Sequence, residues 1–437
     1  MKKIDRRSFV KSTTISSGAL ITVPFSLDAM ANSFNNRKLK LAVIGCGGRG
    51  TGAVIQALKA DKDVELVSMA DAFKDNLENS LKSILKEFEG IIKVKVKEKN
   101  RFVGFDAYKK AIDLADVVIL ATPPGFRPQH FEYAINNDKH VFMEKPVATD
   151  PNGVRTVLKS VKLAEIKKLN VVVGLQRRYQ KSYKAISEFL KNGKIGKIIS
   201  GQVYWNSGGV WVRKRESGQT EMEYQMRNWY YFNWLCGDHI LEQHIHNIDV
   251  ANWFLGEYPI SASGMGGREV RNGKDNGQIF DHHYVEFKYP GGAVISSQCR
   301  HQPGTKSNVS EVFQGTLGKV FTESNDKCRI SDHYGNTIFK YKSDFDESPY
   351  QIEHNKLFQS IRRGESINNG DYGAKSTLTA IMGRMATYTG KEILWDQAMN
   401  SKDILVPENL NWNSVPPVLP NSKGKYPVAV PGKTKII

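Results

Sequence analysis

The chain has 437 residues, which is enough for two domains and a large hydrophobic core. Its formal net charge is +17, but the lysines are scattered and accompany no helix-turn-helix, zinc-finger or RNA-binding signature. We therefore expect a lysine-rich solvated surface and no nucleic-acid partner.

The first 31 residues have the features of an export signal. Arg6 and Arg7 lie in the sequence DRRSFVK, which resembles a twin-arginine motif. A modestly apolar stretch, Ser16 to Phe25, and the small-x-small sequence Ala29-Met30-Ala31 follow. We predict a signal over residues 1–31, periplasmic localisation and no membrane span in the remaining chain. A disordered basic tail is the alternative.

The next feature is a short apolar run, Leu41 to Ile44, that ends in the sequence GCGGRG. This pattern predicts a buried strand and a tight turn into a helix, with glycines that let a pyrophosphate approach the helix N-terminus. A second apolar strand, Val64 to Ala70, ends in Asp71 at the spacing of a βαβ unit. We predict that Asp71 binds the adenosine ribose and repels a 2′-phosphate, which favours NAD over NADP. An ordinary glycine-rich turn with an unrelated aspartate is the alternative.

Alternation of strands and helices continues to residue 175. The lysine-rich segment 91–103 is predicted as a hairpin or insertion. Helices are predicted at 52–60, 73–88, Phe105–Leu114, Pro128–Asn137 and Asp150–Leu169, and strands at Asp116–Ala121, His140–Met143 and Val171–Leu175. Such alternation predicts a doubly wound parallel sheet, in a first domain over 38–175.

The pattern changes after Ile198. Strands with glycine-marked turns are predicted at Ile199–Trp205, Ser261–Val270, His282–Tyr289, Ala293–His301, Glu311–Thr316 and Lys319–Glu323, and helices at Glu242–Phe254, His354–Arg363 and Ala374–Thr389. We predict a second, α+β domain over 176–400 with a large, mostly antiparallel open sheet. The proline-rich tail, 401–437, is expected to wrap the surface.

Neither the cysteines nor the paired histidines indicate a metal site. The four cysteines, Cys46, Cys236, Cys299 and Cys328, form no CxxC or zinc-like cluster, so we predict free, mostly buried thiols. His244 and His246 are two apart and point to different sides of a helix, which disfavours zinc. No metal is therefore predicted.

Candidate catalytic residues follow the strands of the first domain, and others stand at the start of the helix predicted from Glu242. Glu144-Lys145-Pro146 lies at a strand end, where open α/β sheets bind ligands. On a continuous helix Glu242 and His246 share a face. Oxidation of an alcohol needs a group that accepts the hydroxyl proton, and histidine titrates near neutral pH. Lys145 can stabilise the alkoxide or act as the base, while Glu242 can orient His246 or hold a second hydroxyl.

These motifs together resemble the glucose-fructose oxidoreductase / inositol dehydrogenase (Gfo/Idh/MocA) family over about residues 38–400. Gly174–Tyr179 and Tyr388–Lys391 also match. The resemblance implies an N-terminal Rossmann domain, a C-terminal sheet that often forms a homo-oligomer interface, and action on sugars or polyols with NAD or NADP. Glu242 stands where the family usually has aspartate and His244 where glycine is common, so substrate geometry does not transfer directly.

The predicted site residues fall into three groups. The candidate catalytic residues are Lys145, His246 and Glu242. The candidate cofactor-binding residues are Gly45, Cys46, Gly47, Arg49, Gly50, Asp71, Thr122, Pro123, Pro124, His130, Glu144, Lys145 and Gln176. The candidate substrate-binding residues are Arg178, Tyr179, Trp229, His244 and His246, with Trp211 and Trp234 as further rings. A purely structural role is the alternative for Arg178 and Tyr179, core packing is the alternative for the three tryptophans, and a buried core histidine is the alternative for His246.

The sequence therefore predicts an exported NAD-dependent dehydrogenase that reversibly oxidises a ring hydroxyl of a sugar or glycoside to a keto-sugar. Because twin-arginine substrates cross the membrane folded, we expect tightly bound NAD that is loaded before export. The alternative is a glycosidase of the same superfamily that oxidises transiently, eliminates the aglycone and returns the hydride. The intact Glu144-Lys145-Pro146 favours the dehydrogenase, and together with His246 it also argues against a non-catalytic sugar-binding protein.

Overall fold

The structure is a computed structural model that describes residues 37–323, 327–343 and 345–435. The predicted twin-arginine signal, residues 1–31, lies outside the described residues. Within the described ranges, no helix combines the length and apolar character needed to cross a membrane.

The first domain contains a six-stranded parallel sheet in the order β3-β2-β1-β4-β5-β6. Its strands are β1 (Leu39–Ile44), β2 (Val64–Asp71), β3 (Arg101–Val103), β4 (Val117–Leu120), β5 (His140–Met143) and β6 (Val171–Val173). Its helices are α1 (Gly48–Ala60), α2 (Lys74–Glu87), α3 (Ala107–Asp113), α4 (Arg127–Asn136) and α5 (Pro151–Ile166). Strands β4, β5 and β6 are wholly buried because helices cover both faces of the sheet. The predicted Rossmann-type sheet is confirmed.

Of the two alternatives predicted for the lysine-rich segment 91–103, a hairpin or an insertion, the hairpin is wrong. Its backbone runs parallel to β2: the Leu66 N–H donates to the Lys93 carbonyl, and the Lys95 N–H donates to the Leu66 carbonyl. The segment ends in β3, which extends the sheet by one parallel strand. The strand is only three residues long and lies at the sheet edge, so its apolar pattern is too short to recognise.

The second domain contains a nine-stranded sheet in the order β14-β13-β12-β11-β7-β10-β9-β8-β15. The strands are β7 (Ile198–Ser207), β8 (Ser261–Gly267), β9 (His282–Lys288), β10 (Val294–His301), β11 (Asn308–Gly315), β12 (Lys319–Glu323), β13 (Arg329–Ser331), β14 (Thr337–Lys340) and β15 (Ile393–Leu394). Only the β7–β10 pair is parallel among these described strands. The predicted mostly antiparallel sheet is confirmed.

Eight further helices complete the described chain. They are α6 (Lys181–Lys191), α7 (Glu221–Arg227), α8 (Asn233–Cys236), α9 (His239–Glu242), α10 (Ile245–Leu255), α11 (Pro349–Arg363), α12 (Gly370–Thr389) and α13 (Trp395–Asn400). Helices α10 and α12 pack against the second sheet. Helix α12 also packs against α5, and α11 packs against α1, so the last helices of the predicted second domain join the two domains.

Strand β8 is shorter than the predicted Ser261–Val270. It ends at Gly267, because the Asp281 carboxylate then accepts the backbone N–H groups of Glu269 and Val270 at 2.7 and 2.6 Å and turns the chain away from the sheet. A carboxylate that lies far along the sequence supplies this turn, so the local pattern could not show it.

The tail after residue 400 lies across both domains. Trp412 packs against Phe73 and Phe105 of the first domain, with ring centroids 5.1 and 4.8 Å apart. Tyr426 packs against Phe232 of the second domain at 4.9 Å. All four cysteines are buried, as predicted, and none forms a disulfide among the described residues.

Candidate active site

The glycine turn between β1 and α1 is shaped for close backbone approach. Gly45 has φ +95°, and a Cβ there would lie 2.5 Å from the Thr122 nitrogen. A Cβ at Gly50 would lie 1.9 Å from the Gly45 carbonyl oxygen, whereas one at Gly47 or Gly48 would meet no described atom within 4 Å. The turn is therefore closed on its inner side and open above the N-terminus of α1, where a pyrophosphate binds in dinucleotide folds.

Asp71 lies at the end of β2, against this turn. Its Oδ2 accepts the Cys46 N–H at 2.7 Å, and its Oδ1 accepts the Phe73 N–H at 2.8 Å and the Asn76 amide at 3.3 Å. Burial raises the pKa of Asp71 although these donors oppose the shift. The open cradle at Gly47 and Gly48 and the carboxylate beside it fit an NAD nucleotide.

A Gly47→Ala variant is expected to fold normally but to bind NAD about tenfold more weakly or worse, a loss of about 1.4 kcal/mol or more. The new methyl group meets no described protein atom, yet it fills the space above the helix N-terminus. Calorimetric titration with NAD and a thermal unfolding curve provide the two measurements.

Gly50→Ala is the matched comparison, because its methyl group must displace the Gly45 carbonyl and should destabilise the protein itself. Wild-type NAD affinity in Gly47→Ala would contradict the placement of the pyrophosphate.

Asp71→Ser is expected to weaken NAD binding by about 10- to 100-fold, the scale of hydrogen bonds to a charged group. NADP binding should weaken less, because the repulsion between the carboxylate and a 2′-phosphate is removed. Dissociation constants for both nucleotides check the shift in preference. Asp106→Ser is the control, since Asp106 is exposed and pairs with Lys109 at the surface. Equal affinity of the unaltered protein for NAD and NADP would contradict the role of Asp71.

The loop after β4 carries Thr122, Pro123 and Pro124 to the same edge of the sheet. Thr122 Oγ1 lies 3.2 Å from His130 Nδ1, and burial lowers the pKa of His130 to about 3. The buried Arg127 guanidinium donates to the carbonyl oxygens of Thr122 and Pro146 and so links this loop to the loop after β5. His130 is 4 % exposed and supports the Thr122 side chain, and its predicted contact with the nucleotide stays a prediction.

Arg49 connects the glycine turn to the loop that carries Lys145. Its Nε donates to Glu144 Oε1 at 2.5 Å, and its Nη2 lies 3.4 Å from Glu353 Oε1 on α11. Burial, reinforced by the charge of Glu144, raises the pKa of Glu353 well above its usual range. A Cβ at Gly174 would lie 2.8 Å from Glu144 Oε2, so this glycine makes room for the carboxylate. Arg49 thus positions Glu144, a role that the expected nucleotide contact did not include.

Lys145 reaches across the domain boundary to the end of α9. Its Nζ donates to the backbone carbonyl of Glu242 at 2.5 Å and to Glu242 Oε1 at 3.1 Å. Both side chains are only about one-seventh exposed, at 14 % and 15 %. The contact brings a cation of the first domain and a carboxylate of the second together at the cofactor edge of the sheet.

His246 lies at the start of α10, beside this pair. Burial, followed by the positive charge of Lys145, holds the pKa of His246 well below the usual histidine range. Its Nδ1 is buried without a hydrogen-bond partner in the described ranges, and its ring stacks on Trp205 at 5.9 Å. The imidazole is therefore neutral at neutral pH and can accept a proton.

The continuous helix predicted over Glu242–Phe254 is wrong. Helix α9 ends at Glu242, and α10 begins at Ile245. The N–H groups of Asn247 and Ile248 both donate to the His244 carbonyl, so the helical hydrogen bonds of α10 begin at His244. Glu242 and His246 come close to the same lysine through this turn, and not through the (i, i+4) spacing of one helix.

The comparisons with known proteins agree with this geometry. Residues 39–175 match the family model described as an oxidoreductase family with an NAD-binding Rossmann fold, and residues 183–320 match the model of the GFO/IDH/MocA C-terminal domain. The chain belongs to the Gfo/Idh/MocA family. The matched model is that of an oxidoreductase family with an NAD-binding Rossmann fold, and the curated relatives include inositol 2-dehydrogenases.

Two curated members of the Gfo/Idh/MocA family show how far the similarity extends. An inositol 2-dehydrogenase of Pseudomonas savastanoi pv. phaseolicola is 30% identical over 333 residues, 75% of this chain and 87% of the relative. One from Rhizobium meliloti is 24% identical over 288 residues, 65% of this chain and 76% of the relative. A levoglucosan dehydrogenase solved with NADH and levoglucosan has a TM-score of 0.63 at 15% identity, covers 83% of this chain and 100% of its own, and shares the fold.

Three of the predicted substrate residues bond other protein groups in the structure, and their contact with a substrate stays a prediction. His244 is fully buried, with Nε2 2.7 Å from Ser297 Oγ on β10. The Arg178 guanidinium is paired with the Asp249 carboxylate at 2.8 and 2.9 Å and stacks on a ring of α12. The Tyr179 hydroxyl donates to Asn369 Oδ1. Both residues join the turn after β6 to the helices behind it.

The aromatic segment divides into core and cleft residues. Trp234 is buried and donates to Gln225 at 2.8 Å, so it packs in the core and does not stack on a sugar. Trp229 is half-buried and contacts both Trp211 and Tyr230. Gln176 begins the turn after β6, with its Oε1 buried and unpaired among the described residues.

Two residues that the sequence did not single out belong to this region. Trp205 stacks on His246, and Tyr230 has a buried hydroxyl without a partner in the described part of the chain. Burial, followed by the charge of Glu242, raises the pKa of Tyr230 well above its usual range. Tyr230 adjoins Trp229 in sequence, which is the one signal that could have indicated it.

Proposed function

We propose that this enzyme oxidises a ring hydroxyl of a sugar or glycoside, reversibly, to a keto-sugar. The observation that carries the proposal is the ion pair of Lys145 with Glu242 at the carboxyl edge of the NAD-binding sheet, with His246 near enough for the charge of Lys145 to lower its pKa. The glycine turn and Asp71 would hold NAD, which supplies the hydride acceptor when bound.

Lys145 is suited to hold the reacting oxygen. A lysine ammonium has three N–H donors, and two of them point to the carbonyl and carboxylate oxygens of Glu242. The third is available to the substrate hydroxyl, where the positive charge stabilises the alkoxide that forms as the proton leaves. Glu242 fixes the direction of this donor.

His246 is suited to accept the hydroxyl proton. Because its pKa lies well below the usual range, the ring is neutral over the physiological pH range and has a free lone pair. Trp205 on one side restricts the orientation of the ring. This division of roles assigns proton transfer to His246 and charge stabilisation to Lys145.

The substrate class follows from the surroundings and from the relatives. Trp205, Trp229 and Tyr230 offer aromatic surfaces near the polar triad, as sites for sugar rings commonly do. The curated relatives include inositol 2-dehydrogenases, which are named for a polyhydroxylated ring. Both observations favour a cyclic polyol or sugar with several hydroxyl groups.

The test is a product screen with the purified full chain and added NAD. The panel contains inositols, free aldoses and aryl glycosides, with NADH followed by absorbance and products by mass spectrometry. Formation of NADH together with a product that has lost two hydrogens supports the proposal. Release of an aglycone without accumulation of NADH would show a redox glycosidase instead, and no reaction with any ring compound would reject both.

We also propose that the enzyme is exported with NAD already bound and forms a homo-oligomer through the second sheet. The twin-arginine-like sequence near Arg6 and the open-sheet domain support these two points. Native mass spectrometry of periplasmic material measures the retained nucleotide and the number of subunits. Protein that is found in the cytoplasm, or that arrives as a nucleotide-free monomer, would contradict them.

A further inference from the structure

The C-terminal tail crosses the carboxyl edge of the first sheet between two fixed points. At one point the Leu405 N–H donates to Asp150 Oδ2, just before α5, at 2.8 Å. At the other the Val418 carbonyl accepts the side-chain amide of Gln225, on α7, at 2.7 Å. We call residues 405–418 the strap, and we propose that the strap closes the adenosine end of the nucleotide site and sets the rate at which NAD leaves. This role rests on the proposed retention of NAD and supplies its structural cause.

Trp412 is the contact in the middle of the strap. Its ring centroid lies 5.1 Å from that of Phe73, which follows β2, and 4.8 Å from that of Phe105, which follows β3. The Phe73 N–H donates to Asp71 Oδ1 at 2.8 Å, so Trp412 packs on a residue that bonds the carboxylate assigned to the adenosine ribose. Adenine is joined directly to that ribose, so it belongs beside the loops that carry these rings.

Arg227 of the second domain covers the ring of Phe73 as well. Its guanidinium carbon lies 3.8 Å from the Phe73 ring centroid, and its two terminal nitrogens donate to the Asp75 carboxylate at 2.7 and 2.9 Å. This bidentate pair fixes Arg227 over the first turn of α2. Phe73 is therefore held both by α7 of the second domain and by the tail, next to Asp71.

The loop after β4 is covered from the same two sides. A Cβ at Gly125 would lie 2.2 Å from the Trp234 carbonyl oxygen and 3.2 Å from Val406 Cγ2, so the second domain and the strap both approach this glycine closely. Phe126, the next residue, packs against Phe105 with ring centroids 6.0 Å apart. The loops after β2, β3 and β4 are therefore joined beneath the strap, at the edge of the sheet where dinucleotide folds bind their ligand.

The strap can open while both domains stay folded. Its two ends are fixed by hydrogen bonds to different domains, whereas its middle is held by the rings that contact Trp412. Segments with few buried contacts open locally, and the opening of such a segment often limits the release of a bound molecule. Loss of the Trp412 ring should therefore speed both the entry and the release of the nucleotide, and should change the dissociation constant less than either rate.

The test measures the release of NADH from the full chain without any sugar present. Protein loaded with NADH is mixed with excess NAD in a stopped-flow instrument, and the change in NADH fluorescence gives the dissociation rate. Trp412→Ala should raise this rate by about tenfold, the scale of losing two aromatic contacts. Arg227→Gln should raise it as well. Trp395→Ala is the matched control and should keep the wild-type rate, because Trp395 is partly buried on α13 and packs against Tyr258.

Hydrogen exchange of the unaltered chain gives a second measurement that needs no variant. Bound NADH should slow the exchange of the backbone amides of residues 406–417. A folded Trp412→Ala protein that binds NADH and releases it at the wild-type rate would overturn the role of the strap, and so would strap amides whose exchange does not respond to NADH. Because no sugar is present, a negative product screen leaves this result unaffected. The absolute release rate of the wild type tests separately whether NAD is retained.

Discussion

Lys145→Ala is expected to reduce kcat by at least about 100-fold, the scale for losing one acid–base or electrostatic group. NAD affinity should remain close to that of the wild type, because the nucleotide cradle is formed by the glycine turn and Asp71. The loss has a geometric cause: Lys145 Nζ bonds two oxygens of Glu242 and keeps one donor for the substrate oxygen. Steady-state kinetics and NAD titration of the same preparation provide the measurement.

Two further variants sharpen this test. Lys184→Ala removes the same charge from an exposed position on α6 and should leave kcat unchanged. Glu242→Gln keeps the shape of the side chain but weakens the ion pair, so we expect a smaller loss than in Lys145→Ala. Wild-type turnover in a folded, NAD-binding Lys145→Ala enzyme would remove Lys145 from the reaction.

The sequence predicted the parts of the site that depend on local chain geometry. The turn at Gly45 and Gly50, the strand end at Asp71 and the loop at Lys145 each follow from a short pattern of strand, turn and helix. Their positions in the structure agree, because the carboxyl ends of parallel strands meet at one edge. Because the strands of the first sheet are parallel, three motifs that are separate in the sequence lie together at one edge of the sheet.

The parts that the sequence could not predict depend on contacts between distant segments. Arg49 meets Glu144 and Glu353, which are 95 and 304 positions away along the chain. Arg178, a predicted substrate residue, pairs with Asp249, so two charges from different elements satisfy each other. The periodicity of a single sequence predicts local structure, but it does not predict which distant carboxylate pairs with a given arginine.

Two ion pairs also connect the helix after the glycine turn with the second domain. Arg49 belongs to α1 beside the nucleotide cradle, and its ion pair fixes Glu144, the residue before Lys145. Lys145 in turn holds Glu242 of the second domain. Two ion pairs, joined by the adjacent residues Glu144 and Lys145, therefore lead from the glycine turn to Glu242.

His246→Asn is expected to reduce oxidation by about 100-fold or more, the scale for losing a general base. It should leave NAD bound, since His246 lies on α10 of the second domain. The pH profile distinguishes a base from a packing residue. Burial, then the charge of Lys145, lowers the pKa of His246, so the ring stays neutral until the pH falls well below the ordinary value near 6.5.

In the wild type, kcat/KM should therefore fall as the pH decreases through this lowered pKa, because a protonated imidazole cannot accept the hydroxyl proton. The acidic limb should lie below the range of an ordinary histidine and should be absent from the residual rate of His246→Asn. His333→Asn, at an exposed position, is the control and should keep the wild-type profile. If His246→Asn retains both rate and acidic limb, His246 is a packing residue against Trp205 and Lys145 is the remaining candidate for the base.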